Sequence, residues 1–249
     1  MPTVPMPRRL VARAGLVALT GLAVATVAGA ATSGSGNVVT ETRAVTGFSA
    51  LALRGGIDLV VRQGAAEGVT VRGEDNIVPL VQTTLEGSGE QRTLRIQFKP
   101  GESIRTHQKV EVTVDVVQLR ALSAAGSGEI RVQPLKAPAL ALSISGSSNA
   151  RFEQLDVGSF TIGVAGSGDV AARGKAGKVD VSIAGSGDVR VRELAAETVS
   201  ISIAGSGDAS VNATKTLDVS IAGSGDVDYS GGAALSKRIA GSGSVRQRP

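Results

Sequence analysis

Cysteine and tryptophan are absent from this chain, histidine occurs once, at His107, and aromatic residues make up only 2% of it. Without cysteine there can be no disulfide, no thiol nucleophile, no thiolate zinc site and no lipid anchor on a cysteine. With one histidine, a Ser-His-Asp triad or a multi-histidine metal site would have to run through His107. That residue stands in "SIRTHQK", with the look of a solvated loop. Without aromatics, the core must be built from Val, Ile, Leu and Ala, and should be narrow and regular. A convincing 3.6-residue apolar stripe is also missing beyond the first thirty residues, so long amphipathic helices are not expected. The 249 residues are enough for one or two domains with a real core.

The first thirty residues read as a signal peptide. Arg8, Arg9 and Arg13 form a basic start, Ala14–Ala28 is an apolar run of small residues, and Ala28-Gly29-Ala30 supplies a small-x-small cleavage pattern. Cleavage is expected after Ala30, leaving no membrane span and placing the protein in the periplasm or at the cell surface. The leader also carries much of the basic balance. Of 26 Lys plus Arg, three lie within it, which leaves 23 against 22 Asp plus Glu, close to neutrality. Lacking a basic cluster interleaved with aromatics, the chain is not expected to bind nucleic acid.

What is abundant is glycine, 33 residues of it, and it is periodic. "SIAGSGDV" at Ser182–Val189 returns at Ser220–Val227, with "SIAGSGDA" between them at Ser202–Ala209. The first glycine of each copy falls at Gly126, Gly146, Gly166, Gly185, Gly205, Gly223 and Gly241. Seven copies at steps of 18–20 residues are the mark of a solenoid whose units cannot bury their faces alone. Four residues before the glycine stand Leu122, Leu142, Ile162, Val181, Ile201 and Val219; two before it stand Ala124, Ile144, Val164, Ile183, Ile203, Ile221 and Ile239. Small polar residues lie between them, which is the period-2 code of a half-buried strand. The chain turns apolar again four residues past the glycine. Each copy therefore reads as strand, glycine corner, strand and a looser return. The expected fold is all-β, a single-stranded right-handed parallel β-helix of about 18–20 residues per coil. A left-handed triangular helix is the rival.

Along the chain, residues 1–30 form the leader, 31–44 a Gly/Ser-containing linker and 45–249 the β domain. Its 45–119 part is irregular and its 120–249 part holds the regular coils. In the irregular part, "IDLVVRQG", "VTVRG", "TLRIQF" and "KVEVTVDV" alternate as strands, and "LEGSGEQRTL" reads as a loop or hairpin. Pro79 breaks any long helix near it.

The opening "GFSALALRGGIDLVVRQG" (Gly47–Gly64), "VTVRGEDNIVPLVQTTLEG" (Val69–Gly87), "VEVTVDVVQLRALSAAGSGEI" (Val110–Ile130) and "NATKTLDVSIAGSGDVDYSGG" (Asn212–Gly232) carry a family likeness in their order. The chain resembles the bacterial family described as putative auto-transporter adhesin, head GIN domain, over roughly Val45–Val245. That resemblance implies an exported β-helix-like domain with an adhesive role and no known reaction. No translocator barrel follows the last repeat, so the transport half of the description is not expected to apply.

The repeated residues invite chemistry. The glycines lie between strands with no following helix, unlike a phosphate-binding loop, and positive φ at a tight corner accounts for all seven. The serines that follow them have no base beside them, and their hydroxyls are expected to bond to backbone. The column three residues past the first glycine reads Glu129, Asn149, Asp169, Asp188, Asp208, Asp226 and Ser244. Stacked carboxylates ~4.8 Å apart would repel by roughly 1–3.5 kcal/mol per neighbouring pair. Either each caps its own corner by accepting backbone N–H bonds, or Asp169, Asp188, Asp208 and Asp226 bind a cation or ligand. The first is the expectation, with no cofactor, no metal and no catalytic residue. At the C-terminal end, Arg246, Arg248 and Pro249 are expected to discourage strand addition at an exposed edge. The expected role is non-catalytic: an envelope adhesin or surface-interaction module holding an extended glycan or an envelope or surface protein by many weak contacts. The alternatives are a polysaccharide-processing β-helix enzyme and a structural or sensory periplasmic module.

Overall fold

A computed structural model describes residues 31–89 and 92–248. The expected signal peptide and Pro249 lie outside the described residues. In chain order the strands are β1 (Thr32–Ser33), β2 (Val38–Arg43), β3 (Ala50–Gly55), β4 (Asp58–Gln63), β5 (Gly68–Glu74), β6 (Val81–Glu86), β7 (Thr93–Phe98), β8 (Ile104–Arg105), β9 (Glu111–Val116), β10 (Ala121–Gly126) and β11 (Glu129–Val132). Then follow β12 (Leu135–Gly146), β13 (Asn149–Gly166), β14 (Val170–Gly185), β15 (Val189–Gly205), β16 (Ala209–Gly223), β17 (Val227–Ser230), β18 (Ala234–Gly241) and β19 (Val245–Gln247). A single 3-10 turn, Val78–Leu80, carries Pro79. None of the described residues forms a helix long and apolar enough to cross a membrane.

The expected all-β solenoid is what forms. From β10 onward every ladder is parallel, and equivalent residues of successive coils stand opposite one another: Gly126 pairs with Gly146, Gly146 with Gly166, and so on to Gly241. A first face precedes the glycine corner and a second follows it. The long strands β13–β16 each start on the second face, bend through the return and finish on the first. Alternation places Leu94, Leu51, Leu122, Leu142, Ile162, Val181, Ile201 and Val219 in one buried column. Val, Ile, Leu and Ala fill nearly all of the core, and its aromatic content is concentrated where Phe152 and Phe160 meet edge to face at 5.2 Å.

Two glycines per corner are needed for different reasons. Gly205 has φ +136°, and a Cβ there would lie 2.2 Å from the Gly185 carbonyl oxygen in the coil below. Gly207 has no such dihedral, but its Cβ would meet Gly187 O at 2.3 Å and Ile183 Cγ2 at 2.8 Å. The first glycine is fixed by conformation and stacking together, the second by stacking alone.

The irregular part builds the other end. Here layer order departs from chain order: β7 and β9 form the first layer, β3 and β4 the second, and β10 and β11 lie over β3 and β4. After β4 the chain leaves the stack, makes β5 and β6, returns as β7–β9, and crosses β3–β4 to resume the climb. Antiparallel β6 closes the free edge of β7, and antiparallel β5 and β2 close that of β9. Sheet edges and repeat ends both require such closure against further pairing. "LEGSGEQRTL" is the β6–β7 hairpin connection. Within residues 31–44, read as a linker from their Gly and Ser, lie β1 and β2, where Val38, Val39, Thr40 and Thr42 supply β-branched residues. This stretch is tied down by Glu74, a fully buried carboxylate. Gly36 N–H donates to its Oε1 at 2.8 Å and His107 N–H to its Oε2 at 3.1 Å. Burial pushes that carboxyl up, but the amides of Gly36, His107 and Gln108 and the nearby His107 ring outweigh it and hold the group below its ordinary range.

The opposite end is an open edge. Among the described residues β18 pairs only with β16 and β19 only with β17, and Ile239 is 38% exposed. The apolar column that ends at Val219 continues, in register, to Lys237. A lysine at an inward register position of an edge strand opposes pairing with another chain. Arg246 stands on the last strand and Arg248 just after it, and the two reach sideways to Asp226 and Asp228 of the coil before.

Candidate functional site

The two principal faces differ in chemistry. On the first face, outward positions carry Ser123, Ser143, Gly163, Ser182, Ser202 and Ser220 in one column, with Ala or Ser in the next. Side chains this short leave little relief in these two columns; charge on this face stands at Asp180, Asp218 and Arg238 and, in the lower layers, at Arg54 and Arg95. On the second face the outward columns are ionic. The first column holds Glu129, Asn149, Asp169, Asp188, Asp208 and Asp226; two residues on stand Arg131, Arg151, Ala171, Arg190, Ser210, Asp228 and Arg246.

Asp169, Asp188, Asp208 and Asp226 are brought together in a single stack, bonded in a way the sequence reading missed. Each side chain accepts the backbone N–H of its counterpart in the next coil, not of its own corner. Asp188 N–H donates to Asp169 Oδ1 at 3.3 Å, Asp208 N–H to Asp188 Oδ1 at 3.2 Å, and Asp226 N–H to Asp208 Oδ1 at 2.8 Å. The chain of bonds extends down to Asn149 Oδ1, which accepts Asp169 N–H; Asn149 N–H itself donates to Gly128 O, and the same kind of bond reappears one coil lower, where Asp58 Oδ1 accepts Glu129 N–H. It ends at Ser244, whose N–H and hydroxyl both donate to Asp226 Oδ1 at 2.8 Å. Its hydroxyl first, then its amide, with Arg246 beyond, hold the Asp226 carboxyl below its ordinary value against a small opposing effect of burial. Where the corner turns, a carboxylate thus replaces the carbonyl that a straight ladder would offer. A local turn bond and this inter-coil bond need the same residue types, so only the three-dimensional stack tells them apart.

Cations answer the repulsion from beside the stack. Arg190 donates to Asp169 Oδ2 at 3.1 Å and to Asp188 Oδ2 at 2.6 Å, and Arg246 lies 3.5 Å from Asp226 Oδ2. At the lower end Lys109 is 3.1 Å from Asp58 and 3.6 Å from Glu129. Aligning the copies two residues past the Asp would have exposed these arginines. No group of three or more His, Cys, Asp or Glu among the described residues is gathered as a metal ion would require.

The serine hydroxyls do not bond to backbone as expected. Ser206 N–H, not its Oγ, donates to Gly185 O at 2.9 Å, and the same amide bond recurs at Ser147, Ser167, Ser186, Ser224 and Ser242. The corner hydroxyls are exposed along one ridge. The exception in kind is Ser148, which takes the second-glycine place, is 1% exposed and has a hydroxyl with no partner among the described residues. His107 is largely exposed, with Nδ1 3.4 Å from the buried Glu74 Oε1.

Two concavities lie on the second face and a larger one on the return. One of about 370 Å³ lies over Asn149, Arg151, Asp169 and Ala171, and another of about 360 Å³ over Asp188, Asp208, Ser210 and Arg246. A larger one, about 650 Å³, sits where the return of the first regular coil has no strand below it. Val117, Leu119, Ala137, Pro138 and Leu140 line it, with Arg120 and Lys136 at its rim. There Gln63 plugs the open edge, donating through Nε2 to Lys136 O and accepting Lys136 N–H.

Residues 47–233 match the family described as putative auto-transporter adhesin, head GIN domain, and the chain belongs to that family. No curated protein matches it. Among solved structures, a putative adhesin from Bacteroides fragilis NCTC 9343 superposes with a TM-score of 0.80 at 23% identity, over 87% of this chain and 100% of that one. A putative adhesin from Parabacteroides distasonis ATCC 8503 gives 0.69 at 26% identity, over 87% and 99%. A putative lipid binding protein from the same organism gives 0.70 at 24%, over 88% and 99%.

Proposed function

We propose that this member of the head GIN domain family is an exported, non-catalytic surface-interaction module of the bacterial envelope, working in the periplasm or at the cell surface. It holds an extended partner, a glycan or a surface protein, along the sides of its solenoid. The observation that carries this reading is the persistence of the outward columns. The same short side chains on the first face, and the Asp stack on the second, recur coil after coil at ~4.8 Å, so a linear partner laid along the axis meets the same contact many times. Weak contacts of that kind add up through effective concentration without any deep pocket. The repeated residues are meanwhile occupied in holding coils together: the glycines by close stacking and the Asp Oδ1 atoms by amides of the next coil.

A glycan array probed with the purified protein, run beside a polysaccharide-depolymerisation screen, tests the reading. Retention of intact polymers supports it. Shortening of any polymer would replace it with the polysaccharide-processing alternative.

A further inference from the structure

One pair of charges on the second face is left without a counter-charge. Arg131 and Arg151 stand directly opposite each other in the β11–β13 ladder, and like charges in that relation destabilise a sheet. Both are exposed, and neither makes an ion pair or hydrogen bond with any described residue. Their neighbours on the face do. Arg62 is held by Asp115 at 2.8 Å, Arg173 by Glu193 at 2.9 Å, Arg190 by Asp169 and Asp188, Arg246 by Asp226, and Arg248 by Asp228.

Glu153, two residues beyond Arg151 on the same side of β13, is exposed and makes no ion pair with any described residue, but the two acids that flank the pair in the acidic column are already engaged. Glu129 faces Lys109, and Asp169 faces Arg190. Between them, in the coil of Arg151, the acidic column is interrupted by Asn149. Its Oδ1 accepts Asp169 N–H, which leaves its Nδ2 as a donor. The next residue in the arginine column is Ala171, so the space above Arg151 is open, and this is the concavity of about 370 Å³. Two unmatched guanidinium groups, an amide donor and an adjoining gap are thus collected on one ledge.

We propose that Arg131, Arg151 and Asn149 form an anion-binding subsite that takes an oxyanion, a carboxylate or a sulfate, carried on an acidic glycan. Guanidinium forks match such groups in a bidentate manner, and the open ends of the concavity let a chain continue along the axis. This rests on the extended-partner reading above and narrows its glycan half to acidic polymers.

Titration calorimetry of the purified protein with oligogalacturonate, a sulfated heparin oligosaccharide and a neutral dextran oligosaccharide tests it. The acidic ligands should bind, and Arg131→Gln/Arg151→Gln should weaken them about tenfold or more. The matched double variant Arg62→Gln/Arg173→Gln removes the same charge from the same face and should leave binding within about threefold. Which acidic ligand binds more tightly identifies the oxyanion. Equal losses in the two double variants, or no loss in either, would overturn the subsite. Dextran binding as tightly as the acidic ligands would overturn it while leaving glycan binding intact. If no saccharide binds, the subsite and the glycan half of the proposed function fall together.

Discussion

Replacing Gly205 by valine attacks the corner on both counts that make it glycine. The new Cβ would sit 2.2 Å from Gly185 O, where ordinary contact starts at 3.4 Å, so the two coils would have to part locally by about 1.2 Å. Ser206 N–H and Gly207 N–H both donate to that oxygen, at 2.9 and 3.1 Å, and a separation of this size breaks both bonds. Each contributes about 0.5–1.5 kcal/mol. A φ of +136° costs an L-residue a further ~1–2 kcal/mol, and more when it is β-branched. The total is about 2–5 kcal/mol, or roughly 4–20 °C in Tm for a domain of this size. Thermal melting by circular dichroism reads the loss. Hydrogen exchange should show it spreading to the coils of Gly185 and Gly223, because each coil is supported only by its neighbours. The control is Ser206→Ala, which removes an exposed hydroxyl and should change little. Equal melting temperatures for the two variants would refute the corner geometry.

Three other outcomes are expected. Asp208→Asn keeps an acceptor for Asp226 N–H, as Asn149 does for Asp169, and removes one charge from the stack, so its Tm should match or exceed the parent; Asp208→Ala should fall by about 2–4 °C for ~1 kcal/mol lost. Equal falls would argue against the inter-coil bond, and a rise of many degrees with calcium over chelator in the parent would make the stack a cation ladder. Ser148→Ala removes a buried hydroxyl that has no partner and should stabilise the fold by about 1 kcal/mol, seen as a higher denaturation midpoint. Lys237→Val continues the apolar column to the open edge and should increase light scattering on concentration; unchanged scattering would deny Lys237 an edge-protecting role.

The regular coils were readable because stacking like on like leaves a period in the chain: the columns at Leu122–Val219 and Ala124–Ile239 are core columns in space. The same period could have shown Arg190 and Arg246 beside the Asp stack, and Lys237 at its apolar column's end. Other features had no local trace. β3 and β4 lie between strands that come later in sequence, and which layer a strand joins depends on pairing partners tens of residues away. The capping β2 and β5 read as an ordinary linker and an ordinary strand, since antiparallel closure of an edge uses the same alternation as any other pairing. The Asp bond crosses from coil to coil, whereas sequence chemistry sees only the turn in which each Asp sits.

The central claim is that a long partner is held by repeated contacts along the solenoid. The most direct measurement is the affinity of the purified protein for a size series of one acidic glycan, from monosaccharide to chains long enough to cross several coils. Affinity should climb steeply with length, and the longest chains should be recovered uncut. Binding that is complete with a single sugar, or chains recovered shortened, would contradict the account.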